Sequence, residues 1–256
     1  MPKLTPIPVF NDNYVWIIEL DQAGAVVIVD PGDAGPVAAV LRDRGLEPAA
    51  HLLTHHHGDH VGAVPELLAG NPVPVYGPAS DSIDTVDRPL RGGDRIELFG
   101  LELEVVDLPG HTAGHIGYLG PGFALVGDTL FAGGCGRVFE GTMEQMHASL
   151  SRLADLPPET ELYCAHEYTV ANLRFALDLE PENKRVADRL EEAMAARSQG
   201  RPTVPSTLAE ELTTNPFLRC EDAALVAAVS ARAGRILRPG VEVFAFVRRL
   251  KDGWRG

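Results

Sequence analysis

The sequence predicts an α/β protein in two parts, a strand-rich unit over residues 1–166 and a helical unit over residues 167–256. Three observations carry this reading. Up to His166 the chain alternates short apolar, partly β-branched runs with turn signals rich in Gly, Asn and Asp. Beyond it the segments lengthen, and Ala, Leu, Glu and Arg recur at helical spacing. Several strand-like runs of the first unit also deliver a His or Asp at their C-terminal ends, where loops gather functional side chains.

Residues 7–10, 14–20 and 25–29 read as a meander, separated by the turns NDN and DQAG. The turn DPGD closes the third run, and residues 37–42 read as a helix after it. Residues 51–54 form a short strand that stops at a histidine cluster, followed by a helical segment over 61–68. Three later strands share one property: residues 101–108 lead into PGHTAGH, 122–126 into GDTLF, and 161–165 into HEY. In the second unit, helices are expected over 172–179, 182–197, 208–212, 222–233 and 241–251. Thr207 and Glu210 have the spacing of a capping box, and QGRPTVPS is a loop between helices.

Composition narrows the partners. Hydrophobic content of 45% with 23% charged residues is that of a globular chain able to build a sizeable core. A net charge of −14 argues against nucleic acid, which needs a basic footprint. No window reaches the ~18 consecutive apolar residues of a membrane span, and the N-terminus lacks the pattern of a signal peptide. Cys135, Cys164 and Cys220 are odd in number and far apart, which suits reduced thiols. The expectation is a cytoplasmic, monomeric protein with no nucleic-acid or membrane partner.

The chemistry is concentrated in THHHGDH, residues 54–60. A lone histidine in a loop is an ordinary surface residue, but His55, His57, Asp59 and His60 form HxHxDH. From this chain's own His and Asp frequencies, a chance match is roughly 1 in 1,000. His55 and His57 alternate and can grasp one ion together, whereas Asp59 and His60 face a neighbouring point. The strand-end residues His111, Asp128 and His166 complete a set of imidazoles and carboxylates without cysteine. Such a set suits zinc, iron or manganese and does not resemble a closed thiolate site. Seven candidate ligands are too many for one tetrahedral ion and suit two.

Two cations about 3.5–4 Å apart need an anionic bridge, and Asp128, alone at its strand end, is the natural one. Two divalent ions bring four positive charges; Asp59, Asp128 and a bridging hydroxide remove three. The remaining charge favours an oxyanion, and bound water is acidified towards pH 7. Asp59 and Asp128 are therefore the candidate catalytic residues, acting with that hydroxide, and the chemistry indicated is hydrolysis of an acyl or phosphoryl ester. His56, between two ligands, points away. His115 and Asp30 are candidates to orient ligands from behind. Asp33 is a turn residue or a further orienting group, and His51 and His147 are structural or exposed.

These residues resemble the metallo-β-lactamase superfamily, and more narrowly glyoxalase II, the hydroxyacylglutathione hydrolases. THHHGDH, PGHTAGH, GDTLF and HEY carry the superfamily resemblance. NDNYVWII, GGCGRVFEGT, AHEYTVANLRFA, TNPFLR and RRLKD carry the narrower one and span nearly the whole chain. The resemblance implies an αββα sandwich with a C-terminal α-helical domain that binds substrate. It implies one ion held by His55, His57 and His111, another by Asp59, His60 and His166, and Asp128 between them. The implied cofactors are two divalent metal ions, zinc first, with iron or manganese as substitutes. The implied reaction is hydrolysis of S-D-lactoylglutathione to D-lactate and glutathione, the second step of methylglyoxal detoxification. Arg137, Tyr168, Arg248 and Lys251 match positions that contact glutathione. Phe139 stands where some members carry tyrosine, so that position offers glutathione no hydroxyl.

Rival readings share parts of the pattern. A lactone hydrolase has the same ligand set but not the helical unit with its basic end. A glutathione persulfide dioxygenase has a similar GCGR loop but uses one iron. A non-catalytic thiol-binding regulator ranks last, because every ligand of a working two-metal site is present.

Overall fold

The computed structural model describes residues 2–256, and its frame is a pair of six-stranded sheets. The first holds β1 (Lys3–Val9), β2 (Asn13–Glu19), β3 (Ala25–Val29), β4 (Glu47–Leu52), β5 (Val75–Pro78) and β6 (Arg88–Leu90), side by side in that order. The second is built from β7 (Arg95–Leu98), β8 (Leu101–Asp107), β9 (Ile116–Gly120) and β10 (Phe123–Gly127). A two-stranded hairpin, β11 (Leu130–Phe131) with β12 (Gly134–Cys135), comes next in the chain. β13 (Glu161–Cys164) then pairs parallel with β10, and β14 (Ser206–Thr207) covers its far edge.

Both faces of the central strands are buried, which is why their sequences read as nearly unbroken apolar runs. In β2, Trp16 and Ile18 turn to the core between the sheets, where Leu103, Tyr118 and Leu125 meet them. The alternate residues Val15 and Ile17 pack on the outer side against Val37 and Leu41 of α1 (Ala34–Arg44). The parallel β3–β4 pair requires a crossover, and α1 supplies it. Asp33 accepts the Gly35 N–H at the start of α1, and Gly45, at φ 61°, ends it in the left-handed region. Asp33 is therefore a cap and not a group behind the histidines.

α2 (Gly58–Val61) and α3 (Val64–Gly70) follow β4. α4 (Met143–Ala154) precedes β13, and after it come α5 (Thr169–Leu179), α6 (Lys184–Ser198), α7 (Leu208–Thr214), α8 (Ala223–Ala233) and α9 (Val241–Gly253). Each predicted strand and helix finds its element, with ends shifted by a few residues. The structure adds α2, β5, β6, β7, β9, both small hairpin strands, β14 and α4. The last was legible, since Thr142 and Gln145 form a full capping box at its start. At Thr207 only half of the expected box exists: its hydroxyl accepts the Glu210 N–H, but the Glu210 carboxylate lies 3.2 Å from Arg189. Among the described residues no helix is long and apolar enough to cross a membrane.

Candidate metal centre and substrate pocket

Both sheets deliver side chains to one place. β4 leads to His55 and His57, and the single turn of α2 presents Asp59 and His60. From the second sheet, β8 leads to His111, β10 to Asp128 and β13 to His166. The seven predicted ligands are thus brought together from four separate chain segments.

Their donor atoms form two groups. Nδ1 of His57 lies 3.1 Å from Nε2 of His55 and 3.0 Å from Nε2 of His111. Oδ2 of Asp59 lies 3.5 Å from Nε2 of both His60 and His166. Asp128 reaches both groups: Oδ2 is 3.4 Å from His111 Nε2 and 3.3 Å from His166 Nε2, and Oδ1 is 3.5 Å from His60 Nε2. A tetrahedron of ligands at ~2.0–2.1 Å from zinc has edges of about 3.3 Å, so the spacing suits two coordinated ions.

The far side of four of the imidazoles fixes the tautomer. His60 Nδ1 faces the carboxylate of Asp30 at 3.1 Å, His166 Nδ1 that of Asp12 at 2.9 Å, and His111 Nδ1 the carbonyl of Arg137 at 2.9 Å. These partners only accept, so the Nδ1 atoms donate and leave the Nε2 lone pairs aimed at the centre. His55 follows suit: Thr54 Oγ1 donates to Asp30 and is free to accept from His55 Nδ1 at 3.1 Å. His60 Nε2 and Asp128 Oδ1 are buried without any hydrogen-bond partner. A buried polar atom left this way is costly, and a cation between the two groups would satisfy both. The residues fit divalent metal ions.

Electrostatics agree with that fit. Burial works against the charge on Asp128, yet His60, His166 and His111 together hold its carboxyl well below the usual range. A hydrogen bond from His60, helped by one from Asn13, does the same for Asp59. Burial, reinforced by neighbouring imidazoles, pushes the pKa of His55 well down, so it stands ready as a neutral ligand. His115 is depressed to about 3 for the same first reason. Its ring stacks on His55 at 4.9 Å, and its Nε2 accepts the Asp128 N–H at 3.1 Å. His115 and Asp30, the two candidates for that place, both stand behind the donors.

Other residues at the site were not singled out from the sequence. Asp12 orients His166, and Asn13 donates to Asp59 at 2.8 Å. His56, a non-ligand as expected, lies with its Nδ1 2.9 Å from Asp81 and its Nε2 3.1 Å from Glu140, tying three loops together around the centre. Gly136 passes so close to the centre that an added Cβ would sit 1.9 Å from the Asp128 carbonyl, which explains glycine in GCGR. His51 is fully buried with both ring nitrogens unpartnered, and His147 packs its ring on Phe244.

A cavity of about 500 Å³ opens over the donors. Arg137, Arg248 and Lys251 also line it, together with Tyr168 and Phe131. Tyr168 stacks on the His166 ring at 4.8 Å, nearly parallel. Arg137 is open to solvent and reaches Asp252 at 3.7 Å. Arg248 is not a solvated tail residue: it is 3% exposed, donates to the Cys135 carbonyl at 2.8 Å and pairs with Asp252 at 3.0 Å. Lys251 lies over the Trp254 ring at 4.6 Å, and burial first, then the nearby Arg248, lower its pKa to about 8. Phe139 is mostly exposed at the rim, its ring 5.2 Å from that of His111.

Comparison with known proteins places this geometry. Residues 9–166 match the metallo-beta-lactamase superfamily, and residues 167–254 match the hydroxyacylglutathione hydrolase C-terminus. A hydroxyacylglutathione hydrolase from Alkalilimnicola ehrlichii is 54% identical over 98% of this chain and 99% of its own length. The crystal structure of ETHE1 from Myxococcus xanthus superposes with a TM-score of 0.66 at 22% identity, covering 98% of each chain, a likeness of fold. The crystal structure of TTHA1623, in a di-iron-bound form, gives a TM-score of 0.61 at 29% identity, covering 84% of this chain and all of that one.

Proposed function

The chain belongs to the hydroxyacylglutathione hydrolases of the metallo-β-lactamase superfamily, and on that premise we propose how its pocket hydrolyses S-D-lactoylglutathione to D-lactate and glutathione. The chain is a thioester hydrolase. The observation that carries the finer reading is one cavity lined both by members of the two donor sets and by three cationic side chains.

His55, His57 and His111 would hold one divalent ion and Asp59, His60 and His166 the other, with Asp128 shared. Nitrogen and carboxylate donors without sulfur favour zinc, with iron or manganese as substitutes. When bound, such ions supply an acidified water and a Lewis acid for the thioester carbonyl. Everything else falls to the chain. Asp30, Asp12 and the Arg137 carbonyl hold three imidazoles in the one tautomer that offers Nε2. Lys251 and Arg137 attract the glutathione carboxylates, and Tyr168 contributes a hydroxyl beside them. Arg248 has much of its guanidinium committed to Cys135 and Asp252, so its part is to shape the wall and add charge. Phe131 and Phe139 flank the metal side with apolar surface, which keeps bulk water from competing. The glutathione thiolate is a good leaving group and needs no dedicated acid.

The test is thiol release from S-D-lactoylglutathione by the metal-loaded protein, beside the same protein stripped of metal. Rapid release that disappears with the metal supports the assignment. Metallated protein that leaves the thioester intact would end it.

A further inference from the structure

TNPFLR, residues 214–219, is among the most distinctive runs of this sequence, yet none of its residues lines the cavity. Its work is visible one layer away. The Phe131–Cys135 hairpin is held by side chains of the helical unit. Asn215 Nδ2 donates to the carbonyls of Phe131 at 3.2 Å and Gly134 at 2.9 Å. Asn172 Nδ2 donates to the Ala132 carbonyl at 3.1 Å, and the Gly133 N–H donates to Glu211 Oε2 at 2.8 Å. The far end is closed by Arg248 on the Cys135 carbonyl.

Glu211 is the centre of this arrangement. It is fully buried, and Arg189 Nη2 lies 2.5 Å from its Oε1 while Asn215 Nδ2 lies 2.9 Å from its Oε2. An apolar residue would fill such a site without desolvating a charge. What the carboxylate adds is direction: three donors meet it along fixed lines, and the hairpin backbone is one of them. The seat has no slack, because a Cβ on Gly134 would lie 2.4 Å from Asn172 Nδ2.

The hairpin carries cavity wall but none of the seven metal donors. Phe131 sets its ring edge-on to His166 at 5.7 Å and Tyr168 at 5.3 Å. Cys135 lines the cavity and orients Arg248. We propose that Glu211, clamped by Arg189 and Asn215, is a positioning residue that fixes this hairpin and thereby the glutathione-binding wall. The inference rests on the thioesterase reading above, and it predicts damage to substrate binding without damage to the metal centre.

Steady-state kinetics and metal content of wild type, Glu211→Leu, Glu211→Gln and Asn215→Ala test it. Glu211→Leu and Asn215→Ala are expected to raise KM for S-D-lactoylglutathione by about tenfold with kcat within about threefold and bound metal unchanged. Glu211→Gln keeps an acceptor for Gly133 and Asn215 but turns an amide NH2 towards Arg189, and is expected to raise KM by less than Glu211→Leu does. On a lactoyl thioester of N-acetylcysteamine, which lacks the glutathione carboxylates, all four proteins should perform alike. If Glu211→Leu does not fold, Asn215→Ala carries the comparison. An unchanged KM in a folded variant, or a loss confined to kcat and metal, overturns the inference. Wild type that turns over no glutathione thioester and binds no S-methylglutathione removes the thioesterase reading, and the inference falls with it.

Discussion

The Asp128 N–H donates to Nε2 of His115 at 3.1 Å, so the carboxylate facing both donor groups is aimed from behind by an imidazole that is itself no ligand. Removing that acceptor strands a buried N–H, which costs roughly 1–3 kcal/mol. His115→Phe is therefore expected to lower Tm, and to lower metal content because Asp128 loses its aim. Differential scanning calorimetry beside metal analysis checks both; full metal content in the variant would show that the strand end holds Asp128 unaided.

Asp128 itself reaches within 3.5 Å of donors in both groups. Asp128→Ala is expected to reduce bound metal and to abolish thioester hydrolysis. Metal analysis with an activity assay decides it, and a fully active variant would remove the shared role.

Lys251 lines the cavity, and its pKa of about 8 places its charge within reach of ordinary assays. The ammonium is present below that value and lost above it. KM for the glutathione thioester should accordingly rise as pH passes through about 8, and Lys251→Ala should raise KM more than it lowers kcat and flatten that rise. A KM–pH profile for both proteins makes the comparison. An unchanged KM in the variant would return Lys251 to the solvent.

His51 gives a pH dependence of stability. Burial alone depresses its pKa to about 4, whereas the unfolded chain protonates near 6.5. The unfolded state therefore binds more protons between those values, and stability is lost as pH falls through that window. The full effect is about 3 kcal/mol, of which roughly 2 kcal/mol is expressed by pH 5. His51→Leu should narrow the loss of Tm between pH 7.5 and pH 5 relative to wild type. Equal losses in both proteins would place the acid sensitivity elsewhere.

The site was largely legible because its chemistry is written at strand ends. HxHxDH and the three strand-end residues His111, Asp128 and His166 needed only local spacing to be found, and Asp30 was recognisable for the same reason. What was hidden depends on contacts between distant segments. Asp12 meets His166 across 154 residues, Asp81 meets His56 across 25, and Glu211 meets Gly133 across 78. No periodicity encodes such pairs. Arg248 shows the same limit in another form: RRLKD announces a charged tail, and only packing reveals that the first of its two arginines is buried and spends its donors on Cys135 and Asp252. In the fold, long runs buried on both faces declared themselves. Strands of two to four residues, such as β5, β6 and the hairpin pair, were missed because so short a stretch has no alternation to read.

β14 is only two residues long, but its pairing of Leu162 with Ser206 and Glu161 with Thr207 decides how the chain can be cut. Without it β13 would be the outermost strand of its sheet, an open row of N–H and C=O groups ready to recruit another chain. A fragment ending near residue 166 would carry all seven donors and still present that bare edge beside them. The helical unit therefore shields the sheet that bears the donors, and shortening the chain would uncover an edge that invites self-association.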